Sequence, residues 1–130
     1  MKTITAILSA AVFYWVTSQP YAEQPRVTAS WYGEKYRGNT CADNKTVFDP
    51  DDPTLAAHRP LPFGTRVKVS ITKDKFIVVT IVERGPCTKC KKTGEYSREI
   101  DLSKAAFASL CDTHAGLIQV KLEVLKGEST

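Results

Sequence analysis

In the stretch EIDLS, Asp101 stands between Ile100 and Leu102, an unusual place for a charge. An ionised carboxylate among apolar neighbours loses hydration, which disfavours the charged form and raises its pKa. A carboxyl tuned this way holds a proton near neutral pH and can deliver it as a general acid. Aspartate also caps turns and helix starts, or pairs with cations such as Arg98 and Arg84, so both readings are open. His58, in LAAHRPLPFGT, is the second candidate. Pro60 and Pro62 restrict φ and Gly64 allows a tight turn, so this imidazole sits on a rigid segment suited to a positioned side chain. An ordinary polar histidine fits the segment as well. His114, in DTHAG, reads as exposed loop.

Whether the Cys87-x-x-Cys90 motif carries chemistry depends on the compartment. Met1-Lys2, an apolar run from Ile4 to Val16, and then Thr17 to Ala22 have the layout of a secretory leader. Cleavage is expected after Ala22, with Ser18 as the alternative, placing the mature protein outside the cell or in the periplasm. The run is shorter than the roughly 20 apolar residues that span a bilayer, so no membrane anchor is expected in the mature chain. In an exported small domain, four cysteines (Cys41, Cys87, Cys90 and Cys111) read as two disulfides, with three possible pairings. Zinc would want a second close pair or histidines at ligand spacing, so no metal or other cofactor is expected. A redox pair would open a helix after a strand, whereas KKTGEYS has loop composition. The motif reads as structural.

Residues 23–130 are enough for one domain and one core. The net charge of +4, near +3 without Lys2, suits contact with an anionic polymer such as a cell wall. It lacks the basic stripe of a nucleic-acid binder. A monomer is expected.

Strands must position these residues. VTASWY (27–32) is β-branched and aromatic, and TRVKVSI alternates with Val67, Val69 and Ile71 on one face. TKDK then turns the chain into FIVVTIV (76–82), whose continuous apolar character predicts a strand buried on both faces. LIQVKLEVL alternates again, with Ile118, Val120, Leu122 and Val124 inward and Gln119, Lys121 and Glu123 outward. Ser103 is a good N-cap for a helix over KAAFASLC, with Ala106, Phe107 and Leu110 on its apolar side. A long irregular stretch runs from Gly33 to Gly64, and such loops are functional or stapled. The pattern predicts a mainly β fold, a small barrel with crossed connections rather than a sandwich.

The motifs ASWYG, FDP, LAAHRPLPFGTRVKV, ERGP, IDLSKAAFASL and VKLEVL, in that order, resemble the double-psi β-barrel domain of the rare lipoprotein A family. The resemblance implies a six-stranded double-psi β-barrel with one or two short helices and a surface groove. It also implies lytic cleavage of peptidoglycan glycan strands, leaving 1,6-anhydro-muramic ends. Under it Asp101 matches the essential carboxylate and His58 a histidine implicated in catalysis. Trp31, Tyr32, Glu83, Arg84 and Thr46 then fall at substrate-binding positions. Glu83 stands for the usual Asp and would raise the Asp101 pKa by like charge, while Arg84 would meet a substrate carboxylate or pair with Asp101. Thr46 stands where the family commonly has Glu. Expansins and barwin-like proteins share the barrel, so a non-catalytic barrel that binds wall polysaccharide or inhibits another protein is the alternative.

Overall fold

The computed structural model describes residues 20–86 and 97–126. Alternation of apolar and polar residues builds six strands: β1 (Val27–Tyr32), β2 (Leu55–His58), β3 (Arg66–Ser70), β4 (Phe76–Glu83), β5 (Ile100–Ser103) and β6 (Ile118–Val124). They close into one barrel in the order β1-β5-β2-β4-β3-β6. Two parallel pairs, β1 with β5 and β2 with β4, alternate with antiparallel ones, so the chain crosses over itself. This is the predicted mainly β barrel with few helices. Among the described residues no helix is long and apolar enough to cross a membrane.

The barrel interior is filled by inward-facing residues such as Ala29, Val67, Val69, Val79, Ile81 and Val120, all fully buried. Helix α1 (Lys104–Ala108) adds Phe107 to the same core, and Leu110 follows it in. A second, smaller cluster of Cys41, Phe48, Leu55 and Val82 lies under the long loop between β1 and β2.

Four expectations need correction. The apolar run of β4 is not buried on both faces along its length. Phe76 is 46% exposed, with the Lys68 ammonium over its ring, and only the Ile81–Val82 end meets core on both sides. Lys121, expected outside, is buried because Tyr21 covers it: Nζ donates to the Tyr21 carbonyl at 2.6 Å and lies 3.9 Å from the ring centroid. The stretch from Gly33 to Gly64 is not irregular throughout, since β2 lies within it and every one of its residues is buried. Cys41 and Cys111 are free thiols, so the expected pairing of all four cysteines into two disulfides is not formed. Cys41 packs in the small cluster and Cys111 against the main core, each already used as a small apolar group. Cys87 and Cys90 lie outside the described residues, as does the expected leader over residues 1–19.

Ser103 joins the barrel to the long loop. Its hydroxyl caps α1 by accepting from the Ala106 amide at 3.2 Å and donates to the Asp52 carbonyl at 2.6 Å. Ser103→Ala therefore removes a cap and leaves a carbonyl without its donor. A loss of about 1–3 kcal/mol is expected in denaturant unfolding. An unchanged midpoint would show that this junction does not hold the loop.

Candidate active site

Strand period fixes where Asp101 points. Ile100 and Leu102 enter the core and are fully buried, so Asp101 between them must face out of the barrel. On β5 it pairs in register with Ser30 of β1 and Ala57 of β2. The long β1–β2 loop and the Arg84–Pro86 segment rise on either side, leaving a groove of about 720 Å3 with Asp101 in its lining. The Ser30 hydroxyl donates to Asp101 Oδ1 at 3.0 Å. Burial nevertheless dominates and pushes the Asp101 carboxyl above the ordinary aspartate range, against the Ser30 hydrogen bond and the Arg98 charge, which pull it back.

Glu83 contributes differently from the sequence expectation. Its Oε1 accepts from the Ala42 amide at 2.9 Å and the Arg84 amide at 3.2 Å. The Cys41 thiol bonds to the same carboxylate, and burial first, then Glu83 and Asp43, push that thiol up to about 11. Cys41 thus stays protonated and unreactive at neutral pH. Asp101 owes its shift to burial, with no share from Glu83. Arg84 does not take Asp101 as its partner. Its Nη1 donates to the His58 carbonyl at 3.0 Å and the Leu61 carbonyl at 2.7 Å, and its guanidinium lies 3.8 Å from the Phe63 ring centroid.

Aromatic rings make one side of the groove. Tyr32 stacks on Phe48 with centroids 4.3 Å apart, and Tyr36 meets Tyr32 edge-on at 5.8 Å. The Trp31 indole is anchored by Nε1 donating to the Thr113 carbonyl at 3.0 Å. Gly33 lies against it, and a Cβ there would meet Trp31 Cζ3 at 2.9 Å, so the ring occupies space that only glycine leaves. The Tyr32 hydroxyl is buried and has no hydrogen-bond partner among the described residues. Burial first, then the Cys41, Asp101 and Glu83 charges, hold that phenol well above its usual range, so it remains a neutral donor.

The structure brings Trp31, Tyr32, Glu83, Arg84 and Asp101 together along one groove. It places His58 behind that groove, fully buried. The Leu61 amide points at His58 Nδ1 at 3.4 Å, which assigns the proton to Nε2, 3.1 Å from Glu99 Oε2. Thr46 is also turned away, its hydroxyl donating to Asp43 Oδ2 at 2.6 Å. Sequence reasoning missed Tyr36 as a groove residue and Ser30 as the hydroxyl that donates to Asp101, and it named Arg98 only as an ion-pair candidate for Asp101. Ser30 had a readable signal, a small polar residue alternating with Ala29 and Trp31 in a strand, whereas Tyr36 lay in a loop with none. Among the described residues no three His, Cys, Asp or Glu side chains group to hold a metal ion.

A half-buried carboxyl whose pKa burial raises, cations lining the same groove and an aromatic wall make a groove suited to an acid-catalysed step on a saccharide. The fold alone is shared with a Streptomyces papain inhibitor (TM-score 0.58, 23% identity, covering 82% of this chain and 98% of that one). It is shared too with a Clavibacter michiganensis expansin (TM-score 0.58, 21% identity, covering 81% of this chain and 52% of that one). The sequence model of the family described as lytic transglycolase matches residues 24–122, and the chain belongs to that family. Among curated relatives it is similar to a probable endolytic peptidoglycan transglycosylase RlpA of Treponema pallidum, 34% identical over 89% of this chain and 35% of that protein. It is likewise similar to the endolytic peptidoglycan transglycosylase RlpA of Vibrio cholerae, 34% identical over 86% of this chain and 40% of that protein. The chain thus spans about a third of the length of the first of these relatives and two-fifths of the second.

The raised Asp101 pKa has a signed consequence. A carboxyl whose folded pKa lies above its unfolded value of ~3.9 stabilises most below that value, and the contribution is lost as pH rises through the folded pKa. At neutral pH the ionised group is a cost. Asp101→Asn is therefore expected to melt at or above the wild-type temperature at pH 7, with the difference shrinking toward pH 3. A variant clearly less stable than wild type at pH 7 would mean that the carboxylate is a structural partner instead. Cys41 and Cys111 should both be alkylated in unfolded, unreduced protein, as peptide mass mapping would show, and protection of either would mean that it is bridged.

Proposed function

We propose that this chain is an exported peptidoglycan lytic transglycosylase, cutting glycan strands to leave 1,6-anhydro-muramic ends. The observation that carries this reading is the half-buried Asp101 carboxyl, held toward its protonated form in the groove of a chain of this family. Similarity to relatives named for endolytic peptidoglycan cleavage supports the substrate.

A glycosidase that uses water needs two carboxylates across the scissile bond. A lytic enzyme needs one. Protonated Asp101 gives its proton to the glycosidic oxygen as the bond to the anomeric carbon breaks. The resulting carboxylate takes the proton of the muramic 6-hydroxyl as that oxygen closes on the anomeric carbon. Asp101 ends protonated, as it began, and no water is consumed. The positive charge that develops on the ring faces the ionising Asp101 and Glu83, which favours the transition state over the neutral ground state. Trp31, Tyr32 and Tyr36 give the sugars apolar faces to lie on, and Arg84 meets an anionic group. His58 acts from behind the groove, through the β2 end and Glu99. The protein works as a monomer without a cofactor once its leader is removed.

A second reading has one observation in its favour. The side chain at the position of the family's usual Glu, Thr46, is turned to Asp43 and adds no carboxyl to the groove. A barrel that binds wall polysaccharide without cutting it would need none. Asp101→Asn separates the two, because it is nearly isosteric with aspartate and cannot deliver a proton. Purified glycan strands incubated with the variant should show binding close to wild type and loss of anhydro-muramic ends by about 10²-fold or more in mass spectra. Wild-type protein that binds strands and forms no such ends would establish the binding reading.

His58→Ala should behave differently. It opens a cavity and leaves Glu99 Oε2 and the Leu61 amide without the imidazole they bond to, so about 2–4 kcal/mol of stability should go together with activity. Lost activity at an unchanged melting temperature would instead place His58 in direct contact with the reaction.

A further inference from the structure

Arg59 is not in the groove, yet it grips two residues that are. Its Nη1 donates to the Pro86 carbonyl at 2.6 Å and the Arg98 carbonyl at 2.9 Å, and its Nη2 donates to Glu99 Oε1 at 3.3 Å. The other Glu99 oxygen is 3.1 Å from His58 Nε2. The Glu99 carboxyl is held below its usual range, the hydrogen bond from His58 and the Arg59 charge outweighing burial, so it is ionised at neutral pH. A planar guanidinium fixed on three acceptors at known angles is a rigid strut, because little freedom is left to each donor. Its own root, next to His58, is fixed by the pairing of His58 with Ile100 across β2 and β5.

Both gripped residues line the groove. Arg98 matters most, since its charge acts on Asp101 three residues further along. We propose that Arg59, seated against Glu99, is a positioning residue for cleavage: it holds the backbone carbonyls of Pro86 and Arg98 and so fixes the segment from which Arg98 enters the groove lining with Asp101. This rests on the reading of Asp101 as the acid. His58, Glu99 and Arg59 then form one device behind the groove, and the buried imidazole serves it by orienting Glu99. The strut sets how far Arg98 tempers the burial of Asp101, and it keeps that cation in place for an anionic substituent of the sugar.

The groups facing Asp101 are few enough for a clean test. Ser30 and Tyr32 face it from β1, Ala57 from β2, Glu83 and Arg84 from the β4 end, and Arg98 from ahead of its own strand. The Asp101 carboxyl is titrated by NMR in wild type, Arg59→Met, Arg98→Met and the double variant. Arg59→Met should raise the Asp101 midpoint by about 0.5–1 pH unit, and should not raise it further in the Arg98→Met background. Arg59→Lys keeps the charge and gives up the fork, so it should shift the midpoint the same way and covers the case in which Arg59→Met does not fold. The kcat for anhydro-end formation should fall by about tenfold with a smaller change in KM. An unchanged midpoint, or an equal rise in both backgrounds, would overturn the proposal, because a purely structural Arg59 moves stability alone and a direct charge effect ignores Arg98. Wild-type protein that forms no anhydro ends would remove the cleavage reading, and the titration cycle would still decide the strut.

Discussion

The position of β5 between β1 and β2 is the constraint on which the site depends. A central strand with one face on a closed core must send alternate residues inward. Ile100 and Leu102 go in, and Asp101 has nowhere to point but out. On an open barrel face that carboxylate would be hydrated and ordinary. Here the loop after β1 and the segment after β4 stand over the strand, so the outward direction leads into a groove rather than bulk water. Desolvation then follows from topology. Among the described residues the donor on it is Ser30, and this bond together with the Arg98 charge does not reverse the effect.

The supporting parts are arranged around that one shifted group. Glu83 is occupied by two backbone amides and the Cys41 thiol, which fixes that side chain in the groove wall. Arg84 is bound to carbonyls of the β2 end and stacked on Phe63, so it presents a fixed charge without neutralising the acid. The stack of Tyr32 on Phe48 ties the groove wall to the small cluster where Cys41 sits. Stability and chemistry therefore share residues on this face, while β3 and β6 on the far side of the barrel serve the core alone.

Much of this was legible in the chain. Strict alternation marked β3 and β6, because a half-buried strand writes its two faces into the sequence. A lone charge between two apolar residues marked Asp101, since few environments tolerate it. Other features left no such trace. The segment LAAH is four residues long, ends on a polar histidine and precedes two prolines, so it reads as a rigid loop rather than a strand buried on both faces. The burial of His58 depends on Glu99, forty-one positions away, which local pattern does not reveal. Lys121 has the alternation of an outward residue and is covered only because Tyr21 folds back over it. Four cysteines in a chain expected to be exported suggested two bridges on compositional grounds, but pairing is a matter of distance, and Cys41 and Cys111 are each packed elsewhere.

The central claim is that burial leaves Asp101 carrying a proton that ordinary aspartate would have lost. Residue-specific carbon NMR of the Asp101 carboxyl across pH in the wild-type protein measures this directly. A midpoint clearly above ~3.9, with Asp43 and Glu99 titrating below their usual values, is the predicted result. A midpoint below ~3.9 would mean that hydrogen bonds and Arg98 outweigh burial, and Asp101 would then be a structural carboxylate with no proton to give.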